Sequence, residues 1–300
     1  MVAFIDAHKE SYGVEPMCRY LPIAPSTYYV HCQQRRAPDS RSARAKRDAL
    51  LCEEITRIWQ DNHGLYGYRK LLHALRREGW DVARCTVERL MRTLGLQGVV
   101  RGRKVITTLP DMMQSCPLDK VNREFVATRP NQLWVSDFTY VSTWQGMVYV
   151  AFIIDVFSRR IVGWRVSTSM TTAFVLDALN QAIATRLPDD TLIHHSDRGS
   201  QYLSITYAER LVEAGIDASV GNVGDSYDNA MAESIIGLFK TEVIKHKAPW
   251  KTAQSVEWET LKWVHWYNQK RIMQPLGYIT PNEMEESYYE NLNQPAIKTA

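Results

Sequence analysis

Leu133-Trp-Val-Ser-Asp-Phe-Thr-Tyr-Val141, Met147-Val-Tyr-Val-Ala-Phe-Ile-Ile-Asp-Val156 and Arg160-Ile-Val-Gly-Trp-Arg-Val166 are three successive runs rich in β-branched and aromatic residues. Thr143-Trp-Gln-Gly146 separates the first two, and Phe157-Ser-Arg159 the second and third. Short, apolar and punctuated by turn residues, they predict a three-strand antiparallel meander. Ser169-Met-Thr-Thr172 reads as the cap of a helix over 173–186, with Val175, Leu176, Leu179 and Ile183 inside. A buried strand over 191–195, a helix over 204–214, a short strand over 217–220 and a longer helix from about 228 to 246 follow.

The order βββαβαβα is that of a ribonuclease-H-like fold: α/β, a mixed five-stranded sheet flanked by helices. In that topology the first and fourth strands lie side by side. Three acids sit at the edges of the rigid segments: Asp137 in the first strand, Asp197 just after the fourth, and Glu233 in the helix Asp225-Ser-Tyr-Asp-Asn-Ala-Met-Ala-Glu-Ser-Ile-Ile-Gly-Leu-Phe-Lys-Thr-Glu242. Carboxylates are hard oxygen ligands, suited to Mg²⁺, which leaves coordination positions for water and phosphate. Two such ions drive in-line displacement at phosphorus without a covalent nucleophile. Asp155, at the end of Ala151-Phe-Ile-Ile154, reads as buried as Asp137, and the residues alone leave it as a rival. Asp225 and Asp228, with Asn229, read as caps of the following helix. His194 and His195 alternate across a strand, so only one faces such a site, and packing is the simpler role for both. Lys240 follows Glu233 by two helical turns and shares its face, where an ammonium would bind a phosphate beside the scissile bond. Gly221-Asn-Val-Gly-Asp225 reads as a loop that closes on substrate.

Upstream, the character is helical and basic. Residues 1–128 carry 21 Lys+Arg against 14 Asp+Glu, whereas 129–300 carry 15 against 19. The excess lies between Arg35 and Lys104, which points to a polyanionic partner. Pro16, Pro22 and Pro25 break any long helix in the first 35 residues, leaving a helical arm over 1–43. Leu50, Leu51, Ile55, Ile58 and Trp59 mark a helix over 44–62, Arg69 to Glu78 a second, and Cys85 to Leu94 a third that Gly95 stops. Val87, Leu90, Met91 and Leu94 form the third helix's apolar stripe. Three short helices with tight turns predict a helix-turn-helix-like, all-helical domain over 44–98. Arg69, Lys70, Arg84, Arg89 and Arg92 are its candidate DNA contacts. Residues 99–130 read as a basic linker in which Arg101, Arg103 and Lys104 suit backbone or minor-groove contact. A catalytic core over 131–248 and a C-terminal helix and tail over 249–300 complete the chain. The last helix, over 252–269, carries Trp258, Leu261, Trp263, Val264, Trp266 and Tyr267, and from Pro275 onward turn signals and polar residues predominate. Five scattered cysteines without a C-x-x-C pair, and no secretory or membrane-length apolar run, imply reduced thiols and a cytoplasmic protein without zinc.

Trp134-Val-Ser-Asp-Phe-Thr-Tyr140, His195-Ser-Asp-Arg-Gly-Ser-Gln-Tyr202 and Asp225-Ser-Tyr-Asp-Asn-Ala-Met-Ala-Glu-Ser234 with Lys240 resemble the integrase-type catalytic core of bacterial insertion-sequence transposases. The chain is similar, more narrowly, to the second-frame product (OrfB) of elements with two overlapping frames. His63-Gly-Leu-Tyr-Gly-Tyr-Arg-Lys70 with Thr86-Val-Glu-Arg-Leu-Met91 resembles that group's helix-turn-helix-like segment, and Trp266-Tyr-Asn-Gln-Lys-Arg271 with Leu276-Gly-Tyr-Ile-Thr-Pro281 its C-terminal motif. The resemblance implies that Asp137, Asp197 and Glu233 are the metal-binding triad of a DDE enzyme, with Asp155 outside it and Lys240 contacting the element's end. It implies Mg²⁺-dependent hydrolysis at insertion-sequence ends, then strand transfer, with two Mg²⁺ ions for which Mn²⁺ substitutes. A structure-specific nuclease without strand joining and a catalytically inactive DNA-binding remnant are the alternatives. The implied partners are terminal inverted repeats, target DNA, further copies of the chain, and an upstream-frame helix-turn-helix product or its frameshift fusion. The implied setting is the bacterial cytoplasm, at the nucleoid. Met273 stands where that group often has a His, so the C-terminal motif is given no catalytic role.

Overall fold

The computed structural model describes residues 1–100, 126–189, 191–196, 202, 204–220 and 230–293. The chain divides into two compact units, Met1–Gln97 and Gly98–Ala300.

The first unit is all-helical. The prolines that limit helix length do not abolish helices: α1 (Val2–Tyr12), α2 (Val14–Tyr20) and α3 (Pro25–Arg36) enclose Ile5, Met17, Cys18 and Tyr28. Pro25 opens α3 and Pro16 lies in the first turn of α2, where a missing N–H costs nothing. Tyr28 donates to Asp6 at 2.8 Å and Arg35 pairs with the same carboxylate, and together they lower its pKa. Next come α4 (Ala43–Asp61), α5 (Tyr68–Arg77) and α6 (Arg84–Leu94). The Ser42 side chain caps α4 by accepting from Ala45 N at 3.2 Å. Gly95 ends α6 at φ 68°, the left-handed conformation that favours glycine. The shared core is Leu51, Ile55, Ile58, Leu71, Leu75, Val82, Val87, Leu90 and Met91. Leu50 and Leu94, expected inside, are exposed.

The second unit is built on a five-stranded sheet of order β3-β2-β1-β4-β5. Its strands are β1 (Leu133–Thr143), β2 (Gly146–Asp155), β3 (Ile161–Ser167), β4 (Ile193–Ser196) and β5 (Asp217–Val220). β1, β2 and β3 form the antiparallel meander, while β4 pairs in parallel with both β1 and β5. α7 (Thr172–Arg186) crosses one face above β2 and β3, burying Phe174, Val175, Ala178, Leu179 and Ala182 against Trp134, Ala151 and Ile153. Gly163 permits that approach, because a Cβ there would run into the Ala178 carbonyl. α7 begins at Thr172, and Thr171 makes no side-chain cap bond, unlike the expected capped start. α8 (Ile205–Glu213) buries Tyr207 and Leu211 beside the same core.

On the other face lie α9 (Ala230–Phe239) and α10 (Ala253–Gln269), where Phe239 and Trp263 meet Phe152 of β2 at centroid distances of 5.1 and 5.9 Å. The single helix expected to about residue 246 is instead α9 followed by a π-helical turn, Lys240–Ile244. In that turn Lys245 N donates to Lys240 O at 2.8 Å. Asn268 of α10 exchanges two hydrogen bonds with the backbone of Ile161, at 3.0 and 2.9 Å, and so fixes the start of β3.

The tail is not the irregular polar end that its composition suggested. It forms α11 (Pro281–Asn293). Thr280 and Glu283 make a reciprocal capping box at 3.2 and 2.8 Å, and Pro281 occupies the first helical position. What anchors this helix is ionic: buried Glu285 takes Arg160 at 2.7 Å and Arg186 at 2.8 Å.

Candidate active site

Strand register places the first acid. Asp137 pairs with Phe152 across β2, and side chains directly opposite in a ladder share a face. Phe152 packs on Phe239 and Trp263, so Asp137 belongs to the face that carries α9 and α10. It is half-buried, and its Oδ1 accepts the Phe138 amide at 2.8 Å. In the parallel ladder, Ser136 pairs with Ser196, the last residue of β4. Asp197 follows Ser196 in sequence and lies outside the described residues, as do Asp225, Asp228, Asn229 and the glycine-containing segment 221–225.

Glu233 sits in the first turn of α9, exposed, beside the buried positions Ala232 and Ile236. α9 packs against β1 itself, so one helix face brings Glu233 to the side of the sheet that holds Asp137. Lys240 comes seven residues later, roughly 10 Å along the axis at ~1.5 Å per residue. Its ammonium lies 5.4 Å from the Tyr140 ring centroid. Below it, Glu242 is buried and accepts from Arg271 Nη2 at 2.6 Å and Trp263 Nε1 at 3.0 Å. Arg271 in turn lies over the Tyr267 ring at 5.6 Å. The motif 266–271 is therefore a clamp on the segment that carries Glu233 and Lys240. Met273 is buried and pairs with Ile279 in an isolated bridge.

Asp155, the rival on sequence grounds, is placed differently. It pairs with Trp134 and so faces α7, opposite to Asp137. It is fully buried and saturated: Asn131 N donates to Oδ2 at 2.7 Å, while Ser158 N and Oγ both approach Oδ1 at 2.9 Å. Burial raises its pKa against the pull of those bonds, and the charge of Glu285 adds to the rise. The Ser158 hydroxyl also lies 2.8 Å from Glu285 Oε1.

Both histidines of β4 are packing residues. His194 Nε2 lies 3.2 Å from the Tyr207 hydroxyl, and His195 Nδ1 lies 3.0 Å from the Ser219 hydroxyl. Burial first, and the neighbouring His195 second, pull the His194 imidazole down to about 3, so it is neutral near pH 7.

In the first unit the basic candidates divide. Arg84 and Arg69 both donate to the Tyr68 hydroxyl, at 2.7 and 3.1 Å, and Arg84 also lies over that ring at 4.8 Å. Lys70 lies over the Tyr66 ring at 4.8 Å. The starts of α5 and α6 thus carry one basic and aromatic cluster. Arg89, expected to face outward, is held by Asp48 of α4 through bonds of 3.0 and 2.9 Å. Arg92 is largely exposed, 3.6 Å from Glu88. Arg101, Arg103 and Lys104 lie outside the described residues. Among the described residues, no helix is long and apolar enough to cross a membrane.

Comparison with known proteins agrees with this architecture. An integrase core domain model matches residues 127–226, a second integrase core domain model matches 214–281, and an HTH-like domain model matches 45–104. The transposase for insertion sequence element IS629 of Shigella sonnei is 59% identical over 97% of this chain and 98% of its own length. The putative transposase for insertion sequence element IS986/IS6110 of Mycobacterium tuberculosis (strain CDC 1551 / Oshkosh) is 52% identical over 92% of this chain and 99% of its own. Among solved structures, the HTLV-2 integrase catalytic core domain in complex with magnesium (trimeric form) aligns at 19% identity and TM-score 0.44, over 53% of this chain and 99% of that one. The chain belongs to the DDE-type transposases of bacterial insertion sequences, with an HTH-like domain ahead of an integrase core domain.

Proposed function

We propose that Asp137, Asp197 and Glu233 together hold two Mg²⁺ ions, for which Mn²⁺ substitutes, and that the protein uses them to cut and join DNA strands at the ends of its element. The observation that carries this reading is the packing of α9 on β1, which gathers Asp137 and Glu233 on one face beside the C-terminal end of β4. The donor set fits the metal, because every member is a carboxylate, hard and oxygen-donating. When bound, such ions lower the pKa of an attacking hydroxyl and neutralise charge on the leaving oxygen.

The chain's own groups supply the rest. β1 and α9 hold their carboxylates on rigid elements, so the ligands cost little reorganisation. Lys240, one helical stretch beyond Glu233, binds the neighbouring phosphate and sets the register of the strand. In the first step a water oxygen bonds to phosphorus, the P–O3′ bond breaks, and the departing oxygen takes a proton to become a 3′-hydroxyl. In the second, that hydroxyl loses its proton, attacks a phosphodiester of the target, and displaces the target's own 3′-oxygen. The Arg69, Lys70 and Arg84 cluster around Tyr66 and Tyr68 meets DNA phosphates, with Arg92, Arg101, Arg103 and Lys104 as further contacts. Arg89 is the weakest of these candidates because Asp48 neutralises it. Joining two ends calls for more than one copy, so we infer a homo-oligomer acting at the nucleoid, with an upstream-frame product or fusion as a further partner.

The test uses the purified full chain, or its frame-fused form, with a duplex of the matching element end. Mg²⁺ should yield new 3′-hydroxyl ends and then joined products, and Asp197→Asn should yield neither. Ends without joined products would support a structure-specific nuclease instead. Full cleavage by Asp197→Asn would refute the proposed chemistry.

A further inference from the structure

Two large aromatic rings, one on β1 and one in the turn that follows it, are on the surface: Tyr140 is 61% exposed and Trp144 is 70% exposed. Both lie along the arm from Asp137 to the β1–β2 turn; Tyr140 pairs with Tyr149, so its ring leaves the strand on the face opposite to Asp137, and the Lys240 ammonium reaches it there. Tyr140 lies roughly 10 Å from Asp137 along the strand, and Trp144 at most roughly 23 Å, at ~3.3 Å per residue. Among the described residues, β4 pairs with residues 133–136 of β1.

Each ring carries an ammonium. Lys240 Nζ lies 5.4 Å from the Tyr140 centroid, and Lys251 Nζ lies 5.5 Å from that of Trp144. Among the described residues, neither lysine pairs with a carboxylate. Trp258 offers a contrast: it too is exposed under a lysine, but that lysine, Lys262, is neutralised by Glu259 at 2.9 Å. The arm is also braced. Trp144 N donates to Trp250 O at 3.1 Å, and the buried Trp250 indole donates to Ile244 O at 2.9 Å. Thr143 Oγ1 closes the turn on Gly146 O at 2.8 Å. The turn is thereby tied to the π-helical segment that begins at Lys240.

Exposed rings under cations that pair with no carboxylate among the described residues, one on β1 and one in the braced turn after it, suit a single polynucleotide strand. Bases stack on the rings and phosphates meet the ammonium groups. Paired bases hide their faces in the duplex stack and cannot use such a surface. We propose that Tyr140 and Trp144, with Lys240 and Lys251, form a stacking subsite for unpaired bases at the DNA end that is cut. The subsite rests on the reading of Asp137 as part of the cutting site.

The test measures binding of the full chain to a fluorescein-labelled oligothymidylate of about 20 nucleotides and to a duplex of the same length, by anisotropy at one salt concentration. Tyr140→Leu/Trp144→Leu should weaken single-strand binding by at least about fivefold, the low end for loss of one stacked base, and leave duplex binding within about twofold. Tyr140→Phe, which keeps the ring, should bind like the parent. On cleavage substrates, the double variant should be slow on a fully paired end and recover when the terminal pairs are mismatched. Equal losses on single strand and duplex, no loss at all, or a change in sedimentation showing that the arm is a contact between chains would each overturn the proposal. If the parent binds the single strand through these rings but cuts neither end in Mg²⁺, the failure lies with the proposed reaction and not with this subsite.

Discussion

Arg271→Met tests whether the C-terminal motif holds α9 and the turn after it in place. Glu242 is 8% exposed and Arg271 is 6% exposed, so both charges are almost fully withdrawn from water. The carboxylate accepts three contacts from the guanidinium, at 3.2, 3.2 and 2.6 Å, and one from Trp263 at 3.0 Å. Removing the arginine leaves a buried carboxylate with the indole alone, which costs about 3–5 kcal/mol. For a unit of this size each kcal/mol moves Tm by about 2–4 °C, so the drop should be roughly 6–20 °C. Replacing both charges, as Glu242→Leu/Arg271→Met, should cost much less. A buried ion pair exchanged for apolar residues is often near neutral, and what remains is the unsatisfied Trp263 indole, about 1–3 kcal/mol. Urea unfolding followed by tryptophan fluorescence measures Arg271→Met, Glu242→Leu and the double variant against the parent. If the double variant loses as much as the two single variants added together, the pair does not act as a unit and the reasoning fails.

Glu233→Gln should behave in the opposite way. Because Glu233 is exposed on α9, its removal should leave Tm within about 1 °C of the parent while abolishing strand cleavage; a large drop in Tm would show a structural acid instead. His194 should impose an acid limit on stability. Below about pH 6.5 the unfolded chain takes up a proton there that the folded chain refuses down to about 3, so in that window stability falls by about 1.4 kcal/mol per pH unit. Urea titrations of His194→Gln at several pH values should show a slope shallower by up to one proton, and an unchanged slope would refute the assignment.

How far the residues alone reveal this molecule depends on what kind of interaction builds each part. The meander was legible because its strands are continuous β-branched and aromatic runs, and α4 to α6 because Leu51, Ile55, Leu71, Leu75, Val87 and Leu90 recur at helical spacing. α11 was not, because ion pairs from Glu285 to Arg160 and Arg186 anchor it in place of an apolar stripe. Its start signal, Thr280-Pro-Asn-Glu283, was nonetheless present. The π-helical turn after α9 goes with a pair 29 residues apart in sequence, Glu242 and Arg271, which no local pattern contains. Asp137 and Asp155 were indistinguishable as buried acids on neighbouring strands. Register separates them, since one pairs with Phe152 and the other with Trp134, on opposite faces of the sheet. Tyr140, in an apolar strand run, and Trp144, in the turn after it, are exposed, which residue type alone does not reveal.

The direct test of the proposed metal site replaces one proposed ligand by a softer one. Asp137→Cys should lose strand cleavage in Mg²⁺ by more than the roughly 10–100-fold that follows loss of a partner one shell further out, because a thiolate is a poor ligand for so hard an ion. Mn²⁺, which accepts softer ligands, should restore much of that loss in the variant while changing the parent little. Full activity of Asp137→Cys in Mg²⁺, or an equal response of variant and parent to Mn²⁺, would contradict the assignment of Asp137 as a metal ligand.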